Sequence, residues 1–217
     1  MNERGYFITI EGGEGAGKST AVELIRTRFH EASIPLTCTR EPGGTALGEQ
    51  LRELLLTPQS TDIDPLAELL MMFAARAQHL TKLVRPELDK GHCVLCDRFT
   101  DASYAYQGWG RGLGSEPVSV LEKLVQGSLQ PDVTILLDVS PATGLARARG
   151  RAALDRFEQE DVAFYERVRA AYLDRAEKQA DRYLVVNADQ ALTTVEAELH
   201  RHLDELLEKC SVGRNAP

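Results

Sequence analysis

Residues Gly12 to Thr20 have the types and spacing of a phosphate-binding loop. They form the stretch GGEGAGKST, in which four residues separate Gly12 from Gly17, and Lys18 and Ser19 follow directly. Backbone N–H groups of such a loop can surround a triphosphate, while the lysine neutralises its β and γ oxygens and the hydroxyl binds Mg²⁺. The spacing G-x-x-x-x-G-K-[ST] therefore predicts a nucleotide-binding loop and not a simple glycine-rich turn.

A magnesium ion at such a loop also needs a carboxylate, and there are two candidates. The apolar run VLCD ends at Asp97, and the run ILLD ends at Asp138. Arg98 follows Asp97, so one strand end would offer both a carboxylate for the metal and a guanidinium for a phosphate. We therefore predict that Ser19 and Asp97 bind Mg²⁺, and that Asp138 caps or braces the neighbouring turn.

An arginine-rich segment, LARARGRAALDRFE, contains Arg147, Arg149, Arg151 and Arg156. A solvated helix face is the usual explanation of such a run. On a helix, however, Arg147 and Arg151 share a face, and no acidic residue precedes Asp155 in the segment. We predict a lid at about residues 147–157 that closes over the γ-phosphate and supplies positive charge in the transition state.

The elements that must position these residues alternate between strands and helices. Strand-like apolar runs are YFITIEG, PLTCTR, HCVLCD, DVTILLD and RYLVVN. Helical periodicity occurs in STAVELIRTRFHEA, TALGEQLRELLL, LAELLMMFAARAQHLTKLVRPEL, VSVLEKLVQ, DVAFYERVRAAYLDRAEKQ and VEAELHRHLDELLE. Asp64 and Pro65 mark a helix start, and Pro86 is expected to bend or shorten that helix. The alternation predicts a three-layer, doubly wound α/β fold in which Gly12, Asp97 and Asp138 lie at carboxyl ends of parallel strands, where ligands bind.

Length, composition and charge limit the possible classes of function. The 217 residues are 43% hydrophobic and 27% charged, which favours a single globular domain at 1–210 with a frayed tail at 211–217. The net charge of −8 disfavours binding of a nucleic-acid polymer, although a small anion needs only a local cluster of Arg and Lys. The absence of a signal peptide and of a long apolar run favours a cytoplasmic protein that does not enter a membrane.

Cys93 and Cys96 form a C-x-x-C pattern, which can indicate a redox pair or half of a zinc site. Both lie in the strand-like run HCVLCD. Because residues three apart in a strand point to opposite faces, the two thiols cannot share a ligand, and we predict a structural role.

Segments in the same order as in the bacterial thymidylate kinases give the chain a close resemblance to that family: EGGEGAGKST, TREPGGT, FAARAQH, DRFTDASYAYQGWGRG and LDRFEQE. The similarity extends from about Tyr6 to Asp189. It implies the nucleotide kinase fold of the P-loop NTPases, with a five-stranded parallel sheet. It also implies transfer of the γ-phosphate of MgATP to dTMP, giving dTDP and ADP for dTTP synthesis. Family members are typically homodimers that pack helices such as the long one after Pro65.

The resemblance further implies roles for individual residues. ATP contacts would come from Gly12, Gly13, Glu14, Gly15, Ala16, Gly17, Lys18, Ser19, Thr20 and Arg147, with Arg147 nearer the adenine. Acceptor contacts would come from Arg40, Glu41, Arg52, Met72, Phe73, Arg76, Arg98, Ser103, Tyr106 and Gln107. Among these, Arg52 and Arg98 match contacts to the acceptor phosphate, Arg76 matches a contact to the thymine ring, and Tyr106 matches the tyrosine that crowds the ribose 2′ position.

The implied catalytic set depends on Glu14. In one group of the family a carboxylate in the loop accompanies a catalytic arginine in the lid, and this loop has Glu14 and no arginine. The resemblance is therefore to that group, and Arg151 matches its catalytic arginine. Lys18, Glu14 and Arg98 complete the implied catalytic residues.

The chain departs from the family pattern at two positions. Many members stack a phenylalanine on thymine where this chain has Met72, with Phe73 beside it. Each lies about one helical turn before Arg76, so either could contact the base, whereas Leu69 and Leu70 are expected in the core. Trp109 replaces a common glycine, and it could line the acceptor cleft or be a partly exposed aromatic.

Other functions also fit the phosphate-binding loop. A P-loop GTPase usually carries N-K-x-D after a late strand, but this chain has VVNADQ there, without the lysine. A kinase for another nucleoside monophosphate fits the loop and the lid equally well. The residues that argue against it, all assigned by resemblance, are Arg76, Ser103, Tyr106 and Gln107.

Overall fold

A five-stranded parallel sheet with the strand order β2-β3-β1-β4-β5 forms the centre of the protein. The computed structural model describes residues 4–58, 63–148 and 155–212. The strands are β1 (Phe7–Glu11), β2 (Leu36–Arg40), β3 (Cys93–Asp97), β4 (Val133–Asp138) and β5 (Tyr183–Asn187). All neighbouring strands pair in parallel. The prediction of a doubly wound α/β fold is confirmed.

Helices connect the strands and cover the sheet. They are α1 (Lys18–Glu31), α2 (Ala46–Leu56), α3 (Pro65–His79), α4 (Arg85–Asp89), α5 (Thr100–Ser103), α6 (Ser115–Gln126), α7 (Pro141–Ala148), α8 (Val162–Lys178) and α9 (Leu192–Val212). Segments of π-helix occupy Leu80–Val84 and Tyr104–Gly110, and a 3₁₀ turn occupies Ala180–Arg182. The Asp64 side chain accepts hydrogen bonds from the Leu66 and Ala67 N–H groups at 2.9 and 3.2 Å, which confirms the predicted start of α3.

The regular α-helix that begins at Pro65 ends at His79, before Pro86, which agrees with the prediction of a bent or shortened helix. Proline has no N–H group to donate to the carbonyl four residues earlier, so the regular hydrogen bonding of an α-helix is interrupted there. The chain passes from α3 into the π-helical segment Leu80–Val84, and the Arg85 N–H bonds to the Leu80 carbonyl. The short helix α4 then carries Pro86 in its first turn.

The alternation of side chains along the central strands divides the core into two faces. Ile8 and Ile10 of β1 pack in the cluster that includes α1 and α9, whereas Phe7 packs on the opposite side with Leu80, Val84 and Leu88. On β3, Cys93 belongs to the first of these clusters and Cys96 to the second. The prediction that the two thiols point to opposite faces is therefore confirmed.

The carboxyl ends of β1 and β3 meet at one edge of the sheet. Ile10 is in register with Asp97, so the loop that follows β1 begins beside the end of β3. At the other end of the chain, α9 extends to Val212, beyond the predicted domain end at residue 210. Among the described residues, no helix is long and apolar enough to cross a membrane.

Candidate active site

Glycines in left-handed conformations shape the loop between β1 and α1. Gly12, Gly15 and Gly17 have φ values of 141°, 68° and 92°. A Cβ atom on Gly15 would lie 2.0 Å from the Gly144 carbonyl oxygen, so only glycine allows this approach to α7. The Lys18 ammonium donates to the carbonyl oxygens of Gly12 and Gly13 at 3.2 and 3.1 Å. Burial lowers the pKa of Lys18, and nearby Arg98 adds to this effect.

A buried carboxyl group, Glu11, anchors the base of the loop. It accepts a hydrogen bond from the Phe99 N–H at 2.7 Å and another from the Tyr172 hydroxyl at 2.8 Å. Burial, together with the charge of Asp101, raises the pKa of Glu11. These bonds tie the end of β1 to the segment after β3 and to α8.

A cavity of about 250 Å³ extends from the loop, across the ends of β1 and β3, to α3. Many of the residues predicted to bind ATP, the metal or the acceptor line it: Glu14, Gly15, Ala16, Gly17, Lys18, Ser19, Glu41, Arg52, Met72, Arg76, Asp97, Arg98, Ser103, Tyr106 and Gln107. The fold therefore brings residues from six separate segments of the sequence to one place. A ligand bound at Arg76 and a phosphate bound at Lys18 would share this cavity.

A second cavity, also of about 250 Å³, lies on the α1 and α9 side of the loop. Thr20 and Arg147 line it, together with apolar side chains that include Leu24, Leu137 and Leu199. The Arg147 guanidinium donates to the Ala188 carbonyl at 2.9 Å. Apolar walls with a cation at one edge suit a flat heterocyclic ring that carries polar groups on its rim.

Asp97 and Asp138 differ in how their carboxylates are satisfied. The Asp97 Oδ1 atom is buried and has no hydrogen-bond partner among the described residues. By contrast, the two Asp138 oxygens accept from Arg169 at 2.7 and 2.8 Å, which ties β4 to α8. Asp97 lines the first cavity together with Ser19, and a carboxylate with a hydroxyl is a donor set that suits Mg²⁺.

Arg98 crosses the cavity and pairs with the loop. Its Nη2 atom donates to Glu14 at 2.5 Å, and its Nη1 atom donates to the Gly12 carbonyl at 3.1 Å. Burial alone would lower the pKa of Arg98, but Tyr106 and Glu14 raise it well above its ordinary value. The φ of 68° is uncommon for a residue other than glycine, and it directs this side chain into the site.

Arg76, on α3, lines the first cavity. Its Nε atom donates to Glu41 at 2.7 Å, and its Nη2 atom donates to the Ser103 hydroxyl at 3.0 Å. The guanidinium also stacks on Phe73, with 4.4 Å between its carbon and the ring centroid. Arg52, on the same side, donates to the Pro42 carbonyl at 3.0 Å, and burial lowers its pKa.

Comparison with known proteins identifies the family. The family model described as thymidylate kinase matches residues 10–199. A thymidylate kinase from Teredinibacter turnerae is 57% identical over 203 residues, which cover 94% of this chain and 99% of the relative. A thymidylate kinase from Pseudomonas entomophila is 53% identical, over 95% of this chain and 98% of the relative. Another from Pseudomonas syringae pv. tomato is 52% identical, over 94% of this chain and 97% of the relative. The chain belongs to the thymidylate kinase family.

Two residues of this thymidylate kinase family member that are predicted to bind the acceptor, Phe73 and Arg40, do not line the first cavity. Phe73 is buried behind Arg76 in a core cluster with Leu69, whereas Met72 lines the cavity. Arg40 is exposed and pairs with Glu49 at 2.8 Å. The geometry therefore favours Met72 over Phe73 for contact with a base.

The structure also shows how exposed three further apolar residues are: Trp109, Leu69 and Leu70. Trp109 is 36% exposed and is absent from the cavity wall, so it is a partly exposed aromatic. Leu69 is fully buried, as expected. Leu70 is 49% exposed in the single chain, so the expectation that it lies in the core is wrong.

Glu68 is a buried carboxylate that no motif in the sequence indicates. It is fully buried on α3 and accepts hydrogen bonds from Gln107 at 2.8 Å, from Arg156 at 2.5 Å and from Arg111 at 3.3 Å. Arg156, grouped with the arginines of the predicted lid, is therefore buried and neutralised. No local sequence signal reveals this pair, because 88 positions separate its members.

The remaining predicted lid residues are only partly described. Arg149 and Arg151 lie outside the described residues, as do 150 and 152–154. The segment after them lines the first cavity through Asp155, Phe157 and Glu158. The Phe157 ring contacts Tyr106 edge to face, with 5.7 Å between centroids. The end of the predicted lid therefore lies beside a tyrosine of the acceptor side.

Proposed function

We propose that this chain is a thymidylate kinase that transfers the γ-phosphoryl group of MgATP to dTMP, giving dTDP and ADP for dTTP synthesis. One observation carries the proposal. Lys18 of the phosphate-binding loop, the Asp97–Arg98 pair at the end of β3 and Arg76 of α3 line the same cavity. A donor phosphate and a nucleotide acceptor could therefore meet without crossing solvent, which supports direct phosphoryl transfer.

The donor would occupy the loop and the second cavity. The loop and Lys18 would hold the β- and γ-phosphates, and Thr20 and Arg147 would lie near the adenosine part. Ser19 and Asp97 would hold Mg²⁺, which supplies positive charge to the triphosphate oxygens when bound. The buried Asp97 oxygen without a partner among the described residues supports this assignment.

The acceptor would occupy the first cavity, with its base at Arg76. A guanidinium only donates hydrogen bonds, so it suits the 4-oxo group of thymine and opposes the 4-amino group of cytosine. Ser103 and Gln107 would add polar contacts around the base, and Met72 would pack against it. Tyr106 would crowd the ribose 2′ position, and Arg52 and Arg98 would hold the acceptor phosphate.

The chemical step needs little covalent help from the protein. An oxygen of the acceptor phosphate would attack the γ-phosphorus in line with the leaving ADP oxygen. Lys18 and Arg151 would stabilise the charge on the transferring group. Glu14, which now pairs with Arg98, would hold that guanidinium in place until an acceptor phosphate binds. Catalysis would then come from positioning and preorganised charge.

The proposal also covers the domain organisation, the cellular location and the oligomeric state. Residues 1–210 would form one domain with a lid at about 147–157, acting in the cytoplasm without a nucleic-acid or membrane partner. The active form would be a homodimer that packs α3 against a second copy. Support for this comes from Leu66 and Leu70, one turn apart on α3, which are 47% and 49% exposed in the single chain.

The proposal is tested by measuring ADP release with MgATP against a panel of acceptors: dTMP, dUMP, ribo-TMP, dCMP, dAMP, dGMP and shikimate. We expect dTMP to be phosphorylated far faster than the others, and chelation of Mg²⁺ by EDTA to abolish the reaction. If dTMP were inert while another acceptor reacted, the loop and lid assignments would survive. Every assignment of base recognition would then be wrong.

Replacing Arg76 with alanine should weaken selection of the acceptor. Loss of a paired hydrogen-bonding contact to a base costs about 1–3 kcal/mol of discrimination, or about 5- to 150-fold. We expect the ratio of kcat/KM for dTMP to that for dCMP to fall by a factor in this range, with the KM for ATP little changed. Steady-state kinetics of Arg76→Ala measure this, with the surface variant Arg26→Ala as control. An unchanged ratio would remove Arg76 from base recognition.

A further inference from the structure

A chain of buried hydrogen bonds continues from Arg76 away from the cavity. Glu41 accepts from Arg76 through Oε2 at 2.7 Å, and its Oε1 atom bonds to the His79 Nδ1 atom at 2.8 Å. The His79 Nε2 atom bonds in turn to the Thr39 hydroxyl at 2.8 Å. Glu41, Arg76 and His79 are 4%, 2% and 0% exposed, so water does not replace these bonds. His79 and Thr39 do not line the cavity.

The direction of these hydrogen bonds follows from the donors and acceptors present. The Glu41 carboxylate, which pairs with Arg76, can only accept, so His79 Nδ1 must carry the hydrogen. When Nδ1 carries the single ring hydrogen, the Nε2 atom accepts from the Thr39 hydroxyl. One carboxylate balances one guanidinium in this arrangement, so no buried charge is left unpaired.

The backbone holds the imidazole ring in place as well. Gly44, with φ of 74°, lies so close that a Cβ atom there would be 2.8 Å from the His79 ring atoms Cδ2 and Nε2. The ring is thus confined between the loop after β2 and its own helix. It can act as a fixed donor to Glu41.

The cluster could also be considered as a metal site. Ligand atoms of Glu41, His79 and Cys96 lie within 4.8 Å of one another. However, both ring nitrogens and both Glu41 oxygens have hydrogen-bond partners, and the Cys96 thiol donates to the Arg98 carbonyl at 3.0 Å. The hydrogen bonds account for all of these groups.

Arg76 has one nitrogen left for a ligand. Nε and Nη2 are fixed by Glu41 and Ser103, whereas the buried Nη1 atom has no partner among the described residues. The direction of this donor depends on the orientation of the guanidinium. Glu41 and Ser103 together set that orientation, and Glu41 is held in turn by His79.

We propose that His79 is a positioning residue for acceptor selection, a role that rests on the proposed function. By donating to Glu41 it fixes the carboxylate that orients Arg76, and so aims the Nη1 donor at a pyrimidine 4-oxo group. Selection of dTMP over dCMP thus depends on a side chain that does not reach the cavity. A positional error of ~1 Å in such a contact can cost on the order of 100-fold in rate.

Two amide replacements test the proposal, because each resembles one ring nitrogen. The His79→Asn amide nitrogen can reach the position of Nδ1 and keep the donor to Glu41, whereas the longer His79→Gln amide reaches the position of Nε2 and loses it. We expect His79→Gln to raise the KM for dTMP and to lower the dTMP:dCMP ratio of kcat/KM by about tenfold or more. We expect His79→Asn to keep most of that ratio, and both variants to keep the KM for ATP.

A matched control is available in His92, whose Nδ1 atom bonds to Glu87 at the same 2.8 Å but away from the cavity. His92→Gln should leave the ratio unchanged. His79→Leu, which also lacks the donor, replaces His79→Gln if that variant does not fold, as judged by circular dichroism and Tm. An unchanged ratio without the donor, or equal losses in His79→Asn and His79→Gln, would overturn the role of His79. If the unaltered enzyme itself did not prefer dTMP to dCMP, the proposed function would fall, and this inference with it.

Discussion

Arg151→Ala should lower kcat by about 10³- to 10⁵-fold, which corresponds to ~4 to 7 kcal/mol of transition-state stabilisation. The expectation comes from the sequence, since Arg151 lies outside the described residues. The structure shows that two other arginines of the same segment already have hydrogen-bond partners. These two, Arg147 and Arg156, bond to the Ala188 carbonyl and to Glu68. Arg156 in particular is a neutralised anchor and not a mobile cation.

Arg149→Ala and Arg147→Ala are the controls for this measurement, because they remove the same charge from the same segment. We expect Arg149→Ala to have a much smaller effect on kcat. Arg147→Ala should mainly raise the KM for ATP, because Arg147 lines the second cavity. Steady-state kinetics with dTMP and MgATP separate these effects, and the KM for dTMP should change less than kcat in Arg151→Ala. A near-normal kcat for Arg151→Ala would assign the role to another arginine of the lid.

Local signals in the sequence predicted most of the fold. Asp64 and Pro65 gave the start of α3 because a cap needs only the residues of one helical turn. The strands were recognisable as short apolar runs, since a buried parallel strand has both faces covered. The segment Thr100–Gly110, for which no sequence pattern predicts a helix or strand, forms α5 followed by a π-helix. Its polar and small residues have no clear helical periodicity, because their side chains face the cavity as well as the core.

The candidate site could be predicted only as far as motifs and resemblance extend. The loop from Gly12 to Thr20 is contiguous, so its spacing alone indicates phosphate binding. His79 and Glu68 carry no such signal. Each acts through a partner that is distant in the sequence. His79 bonds to Glu41, 38 positions away, and Glu68 bonds to Arg156, 88 positions away. Periodicity distinguishes buried from exposed positions, but it does not reveal which buried polar groups meet across the fold.

Glu68→Ala should destabilise the protein more than any surface substitution. Glu68 is fully buried and is the common acceptor for Arg156, Arg111 and Gln107. Removing one partner of a buried ion pair costs about 3–5 kcal/mol, because the remaining charge is left without compensation. For a chain of this length we expect Tm to fall by roughly 6–20 °C, together with a lower midpoint of urea unfolding.

The matched control is Glu23→Ala, which removes an exposed carboxylate that pairs with Arg26 at 2.6 Å. Water solvates both groups of that pair, so its loss should leave the urea midpoint unchanged. Glu68→Ala should also raise the KM for dTMP at temperatures where the variant is folded, since Gln107 loses the bond that holds it at the cavity wall. If the Glu68→Ala midpoint matched that of Glu23→Ala, Arg156 and Arg111 would have found water or other acceptors. The end of the predicted lid would then be anchored by the packing of Phe157 on Tyr106 and not by charge.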